Sequence, residues 1–229
     1  MSIVAVVTGA TRGLGRGIAR EFGADGATVV VTGRNEADLA AVSGEIADRG
    51  GKPIAIACDH ADDASVASAF ARIEHEAGRI EILVNNAAAV HAMDLIAPGP
   101  FWEKPLHLVD MIDVGLRSNY VASWHAAPMM AKAGKGLIAS ISFYGAVSYF
   151  HGAAYGAAKA GTDKMMADMA VDLAPHGVAA ISYWPGFILT DAVKAMPADM
   201  LPPDLAGVQM FEKPAGIGKI ADSLSGTVN

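Results

Sequence analysis

The sequence predicts an α/β protein with a doubly wound parallel sheet, a three-layer α/β/α arrangement in one domain over residues 1–229. Three observations carry that expectation. Short β-branched runs alternate with segments of helical periodicity from the start of the chain. A glycine-rich turn follows the first run directly. Apolar residues make up 52% of the chain and charged residues 18%, a balance suited to strands buried on both faces.

The strands are expected at residues 3–7, 29–32, 53–57, 80–84, 137–141 and 178–183, each a short run rich in Val, Ile, Ala or Leu. Between the second and third, Leu39, Val42 and Ile46 mark one helical face, and Asn35 is placed to cap that helix. Val66, Phe70, Ile73 and Ala77 mark the next. Residues 157–173 are apolar nearly all round, where a surface helix shows a single stripe. That helix is expected to bury a second face, in the fold or, preferably, against another subunit of a homodimer or homotetramer. Residues 87–104 and 184–215 lack period and follow strands. They are expected at the carboxyl edge of the sheet as substrate-facing loops, with His91, Met93, Phe143, Tyr149, His151, Trp184 and Phe187 as pocket walls.

The net charge of −7 argues against nucleic-acid binding, and no run of basic residues occurs. The lone Cys58 fits a reducing compartment. No apolar stretch reaches the roughly 20 residues of a membrane span, and residues 1–7 read as a strand rather than a leader. A cytoplasmic protein with no membrane or nucleic-acid partner is expected. No group of residues shows convincing metal-ligand spacing.

Thr8-Gly9-Ala10-Thr11-Arg12-Gly13-Leu14-Gly15 joins the first strand to a helix expected to open near Arg16. Glycines let the backbone turn tightly and approach a pyrophosphate, and free N–H groups at a helix start attract the anion. A nucleotide is therefore expected here. At the end of the second strand, Gly33 stands where an acidic residue would bind a ribose 2′-hydroxyl, and Arg34 follows. Arg34 and Arg12 can pair with a 2′-phosphate, which favours NADP(H) over NAD(H).

Tyr155 and Lys159 stand four residues apart, with Ser142 thirteen residues before Tyr155. On a helix, such a pair shares a face, with Cβ atoms about 5–6 Å apart. A free tyrosine has a pKa of about 10; an ammonium beside it would favour the phenolate and lower that value. The result is a side chain able to pass a proton to or from a substrate oxygen. The same spacing occurs on ordinary amphipathic helices, so the pair gains its weight from the nucleotide loop.

Taken together, TGATRGLG at residues 8–15, Asn85-Asn86-Ala87-Ala88, Ser142, Tyr155, Lys159 and Pro185-Gly186-Phe187-Ile188-Leu189-Thr190 resemble the short-chain dehydrogenase/reductase family, in order and in spacing. Phe101-Trp102-Glu103-Lys104-Pro105, Val114-Gly115-Leu116-Arg117 and Trp184-Pro185-Gly186 narrow the resemblance to one branch of it. The resemblance implies a Rossmann-like fold and hydride transfer between NADP(H) and a small-molecule carbonyl or alcohol. It implies that Tyr155 is the general acid or base, that Lys159 tunes it and binds the nicotinamide ribose, and that Ser142 holds the substrate oxygen. Gly9, Thr11, Arg12, Gly13, Leu14, Gly15, Arg34, Asp59, Asn86, Ala87, Tyr155, Lys159, Pro185, Gly186, Ile188 and Thr190 would contact the cofactor. Asp59 would meet the adenine, unless it only caps the helix expected near Ala61.

Three departures stand out. Ala88 replaces the family's usual glycine. Gly115 stands where the family often has an asparagine, and Asn119, four residues on, is either a substitute for it or an ordinary surface amide. Residues 224–229 look like a final strand cut short. These departures keep open a nucleotide-binding regulator or scaffold with weak or lost turnover.

Overall fold

The computed structural model describes residues 3–186, 188 and 190. Strands β1 (Val4–Val7), β2 (Thr28–Gly33), β3 (Lys52–Ala57), β4 (Ile82–Asn85), β5 (Gly136–Ile141) and β6 (Val178–Tyr183) form one sheet in the order β3-β2-β1-β4-β5-β6. Every pairing is parallel. All six expected strands are present, each starting within two residues of its expected place.

Register lines up one apolar row across the sheet: Ile54, Val30, Val6, Leu83, Ile138 and Ala180. Because side chains alternate along a strand, neighbours Val29, Ala5, Ile82 and Leu137 face the other way. Helices α1 (Gly13–Ala24) and α2 (Glu36–Asp48) cover that second face with Ile18, Phe22, Leu39, Val42 and Ile46. The first face is covered by α3 (Asp63–Ala77) through Val66, Phe70 and Ile73. Each such side chain taken fully out of water contributes about 1.5–3 kcal/mol.

Asn35 caps α2 as expected, its side chain accepting from the Asp38 N–H at 3.0 Å. The cap of α3 differs from expectation. Asp59 accepts from Ala61 N at 3.0 Å and closes a turn, and the helix starts later, capped by Asp62 through Ala64 N.

After β4 come α4 (Ala92–Ile96), 3-10 turns at Phe101–Glu103 and Leu106–Val109, and α5 (Asp110–Ile112). A π-helical turn, Asp113–Arg117, then leads into α6 (Ser118–Ala133). α7 (Ala153–Leu173) starts four residues before the expected helix, after Gly152 at φ 92°. α6 and α7 join α3 on the first face through Ala122, Ala126, Met130 and Met166. α7 fully buries only Ala158, Thr162, Met166 and Leu173, and leaves Ala157, Ala160, Ala167 and Val171 exposed. Its second apolar face is therefore not covered by the described residues. Among these, no helix is long and apolar enough to cross a membrane. Phe187, Leu189 and the expectations for residues 191–229, the shortened final strand included, lie outside the described residues.

Candidate active site

In a parallel sheet all strands end on one edge, and a ligand site forms where the strand order reverses, here between β1 and β4. The loop after β1 is tied to the loop after β4 at that point. Thr8 Oγ1 accepts from Asn86 N and Ala87 N at 2.9 and 3.0 Å. Asn86 Nδ2 donates to the Thr8 and Gly9 carbonyls at 2.9 and 3.0 Å. The closeness of these strands demands glycine. Gly9 holds φ 62°, and a Cβ there would stand 2.9 Å from Ala87 Cα. A Cβ on Gly15 would stand 2.7 Å from the Gly9 carbonyl and overlap Asn86 Nδ2.

α1 starts at Gly13, three residues before its expected start, because Arg16 N reaches the Arg12 carbonyl at 3.2 Å and closes a first turn across the glycines. No side chain caps this end, and its first turn carries no acidic residue. Its free N–H groups form an anion site, and the Cβ-free approach at Gly9 and Gly15 leaves the backbone open to a pyrophosphate. The residues present fit a dinucleotide.

At the end of β2, Gly33 packs against Thr11, so that a Cβ on Gly33 would overlap Thr11 Cγ2. Arg12 and Arg34 are exposed and make no ion pair among the described residues. Behind the loop, Thr32 Oγ1 accepts from Gly9 N at 3.2 Å and lies 2.8 Å from His60 Nε2. His60 is buried and its Nδ1 has no protein partner. Burial pulls its pKa down to about 4, against a smaller opposing pull from Asp59. Nothing in the sequence singles out His60; its place beneath the nucleotide loop comes from the β2–β3 pairing.

Asp59 is exposed at the end of β3. Leu14 packs partly into the core beneath α1 and α2. Pro185 and Gly186 follow β6; Ile188 accepts from Thr190 N at 2.8 Å, and the Thr190 methyl lies over Gly13, 3.5 Å from where a Cβ would stand. The described residues of the expected nucleotide set thus lie in the loops leaving the carboxyl edge of the sheet or, for Gly13, Leu14, Gly15, Tyr155 and Lys159, in the first two turns of α1 and α7.

Ser142 follows β5 directly, and Tyr155 and Lys159 occupy the first two turns of α7. Ser142 Oγ donates to the Lys159 carbonyl at 3.3 Å, and Lys159 Nζ donates to the Ile141 carbonyl at 3.0 Å. Ser140, the neighbouring alternative, is spent in the interior, its hydroxyl accepting from Asn85 Nδ2 at 3.0 Å. The expected tuning of the tyrosine is corrected by the structure. Burial pushes the Tyr155 pKa up to about 12, and the lysine does not lower it. The reason is geometric: Lys159 Nζ lies 5.6 Å from the centre of the phenol ring, turned to a carbonyl. Burial also brings Lys159 down to about 8, opposed by Asp163 one turn on.

The Tyr155 ring is held by close packing. A Cβ on Gly145 would stand 2.6 Å from Tyr155 Cε1. His151 meets Tyr155 edge-on at 5.4 Å, and Phe150 lies 6.0 Å away. His151 has φ 59°, the left-handed region unusual for a side chain of its kind. Burial and the charge of Lys104 lower its pKa.

Gly115 lies buried within the π-helical turn, and its carbonyl accepts from Asn119 Nδ2 at 2.9 Å. Asn119 is 3% exposed, so it is no surface amide; its side chain is spent on the turn. Its own carbonyl accepts from Ser123 Oγ at 2.7 Å.

A cavity of about 430 Å³ opens at the start of α7, its wall including Gly152, Ala153 and Gly156 on either side of Tyr155 in the chain but not Tyr155 itself. Phe101, Trp102, Lys104, Tyr149 and Phe150 also line the cavity. Of the expected wall residues that the structure describes, only Tyr149 does. His91 is bonded to Asp110, His151 packs on Phe150, and Trp184 Nε1 donates to Asp163 at 3.2 Å. Trp102 and Phe150 take their place. The early part of the 87–104 loop, which carries His91 and Met93, contributes nothing to this wall.

The family model described as short chain dehydrogenase matches residues 3–201. The chain belongs to the short-chain dehydrogenase/reductase family, as its motifs imply. It is 42% identical over 194 residues to dehydrogenase/reductase SDR family member 1 of Mus musculus, covering 83% of this chain and 62% of that relative. The chain thus spans less than two thirds of that relative's length. A crystal structure of a metagenomic short-chain oxidoreductase in complex with NADP aligns with TM-score 0.73 and 36% identity, covering 80% of this chain and 82% of that one. A 7α-hydroxysteroid dehydrogenase complexed with NADH and 7-oxo glycochenodeoxycholic acid aligns with TM-score 0.76 and 30% identity, over 89% and 76%.

Proposed function

We propose that the chain is an NADP(H)-dependent oxidoreductase that interconverts a carbonyl and a secondary alcohol. The observation that carries this reading is a convergence. The uncapped start of α1 and the Ser142, Tyr155 and Lys159 set lie on the same sheet edge, and a cavity opens at the start of α7, the helix that carries the tyrosine. Gly9, Thr11, Gly13, Gly15, Asn86 and Ala87 would hold the dinucleotide along the loop, and Arg12 with Arg34 would pair with a 2′-phosphate. Solved relatives carry either cofactor, so the reading for NADP(H) rests on the two arginines. The bound nicotinamide would supply the hydride.

In the reductive direction a substrate carbonyl would accept hydrogen bonds from the Tyr155 and Ser142 hydroxyls. With a pKa of about 12, Tyr155 is fully protonated near neutral pH and able to donate. Ser142 would stabilise charge gathering on the oxygen once its hydroxyl turns from the Lys159 carbonyl. Lys159 would come off the Ile141 carbonyl and hold the phenol in register. Exposed Phe101, Trp102 and Tyr149 support an apolar or aromatic small molecule as substrate. The uncovered face of α7 supports assembly as a homodimer or homotetramer.

A panel of apolar ketones and aldehydes with NADPH tests the reading, with Tyr155→Phe as control. Cofactor oxidation above the level of that variant supports it. Cofactor binding without any such turnover overturns it in favour of a nucleotide-binding regulator, the reading favoured by the commitment of Asn119 to the Gly115 carbonyl.

A further inference from the structure

Two segments of identical spacing, His91-x-x-Asp94 and His107-x-x-Asp110, meet in space and pair crosswise. His91 Nε2 lies 3.1 Å from Asp110 Oδ2, and His107 Nε2 lies 2.7 Å from Asp94 Oδ2. The two imidazole rings are 4.5 Å apart. One ligand atom each from His91, Asp94 and His107 lies within 4.8 Å of the others. Each His-Asp pair spans about one turn, so His and Asp of one segment project together.

We propose that His91, Asp94, His107 and Asp110 bind one divalent transition metal, with Zn²⁺ the best fit. Two neutral imidazoles and two carboxylates balance a dication, and this donor set suits Zn²⁺ rather than the all-oxygen preference of Ca²⁺ or Mg²⁺. Tetrahedral coordination with metal–ligand bonds near 2.1 Å needs ligand atoms about 3.4 Å apart. The two hydrogen-bonded pairs would open slightly and the longer separations would close. The side chains are partly exposed, between 33% and 48%, so an ion can reach them without unfolding. Lys104, between the two segments in sequence, is held on the Leu95 carbonyl at 2.7 Å.

Four protein ligands make a closed site, structural rather than catalytic. What it would fasten is definite. Leu95, Leu108 and Met111 form a small apolar cluster against which Ala154 and Tyr155 pack. Leu95 and Leu108 lie within the segment the four ligands bracket, and Met111 follows it directly. A bound ion would staple α4 to the 106–110 turn and stiffen the wall behind the phenol. The site is independent of the proposed activity.

The test is Co²⁺ titration of tag-free, metal-stripped full-length chain, read by visible absorption and followed by Zn²⁺ displacement. One Co²⁺ per chain with a four-coordinate spectrum is expected. A His91→Gln/His107→Gln variant should bind at least ~100-fold more weakly, more than the loss for an outer-shell partner. A His75→Gln/His176→Gln variant should bind as the parent does. Zn²⁺ should raise the melting temperature of the parent and of that control, but not of the first variant. The isosteric Asp94→Asn/Asp110→Asn variant gives the same reading if the first fails to fold. Equal Co²⁺ and Zn²⁺ affinity in parent and ligand variants, or no binding by the parent, overturns the proposal and leaves two plain carboxylate–histidine hydrogen bonds.

Discussion

Lys159 lies over the Tyr155 ring rather than at its hydroxyl, 5.6 Å from the centroid, with its ammonium given to the Ile141 carbonyl. Without a ligand, the phenol is therefore a strong holder of its proton and the amine a moderate one, near 12 and 8. The pair is set as an acid awaiting a base's alignment.

Replacement of Tyr155 by Phe removes that acid and keeps the ring packing against Gly145 and His151. General acid–base catalysis contributes roughly 10²–10⁴-fold. Carbonyl reduction by the variant should fall by at least about 100-fold in kcat, with unchanged melting temperature and NADPH affinity. A loss confined to KM would show that the hydroxyl binds rather than reacts.

The choice of nucleotide is coupled to packing at Gly33. Gly33→Asp alone places a Cβ onto Thr11 Cγ2. It should lower stability by about 1–3 kcal/mol, as overpacking does, and weaken NADPH binding. Adding Thr11→Ser removes the obstructing methyl and should recover stability while moving preference towards NADH. Binding titrations with both cofactors, run beside urea melts, check it. Full stability in Gly33→Asp alone would remove the packing argument.

Acid should act on His60. Its folded pKa of about 4 lies below the ordinary imidazole value of 6.5. Between those values the unfolded chain binds the proton and the folded chain does not, so stability is complete above pH 6.5 and falls as pH drops towards 4. The span corresponds to about 3 kcal/mol. His60→Gln keeps a polar partner for Thr32 without titrating. Its urea stability should therefore decline less steeply than the parent's over that window; parallel curves would exclude His60 as the group responsible.

Gly115 has room for a Cβ, since the nearest atom to it would be Ala158 Cβ at 4.0 Å. Gly115→Asn should fold and restore the amide usual in the family, raising kcat if that amide serves proton relay. Asn119→Ala should instead cost about 0.5–1.5 kcal/mol by removing the hydrogen bond to the buried Gly115 carbonyl. Thermal melts of both variants and steady-state rates of the first distinguish these effects.

The strands and the nucleotide loop were legible because their signals are local. A run such as Val4–Val7 announces a buried strand, and glycines before a helix announce an anion site. What escaped the sequence depends on register and tertiary approach. Asn119 reads as a surface amide on a regular helix, but the π-helical turn before it shifts the face and carries it inward. Asp59 reads as a cap of the next helix, but its carboxylate closes the Ala61 turn and the cap falls to Asp62. His91 and Asp110 are nineteen residues apart, and no periodicity predicts that they touch. Spacing alone overstates the lysine's effect on Tyr155, because it fixes which side chains share a face, not where a long one points.

The Thr8–Asn86 hydrogen bonds form the seam between two halves of the sheet. On one side, β1–β3 carry Gly33, Arg34 and the nucleotide loop; on the other, β4–β6 and α7 carry Ser142, Tyr155 and the aromatic cavity. Redesign can therefore proceed as two separate campaigns. Libraries at Thr11, Gly33 and Arg34 would retool redox currency, libraries at Trp102, Tyr149 and Phe150 would retool substrate range, and their gains should combine as long as the seam residues stay untouched.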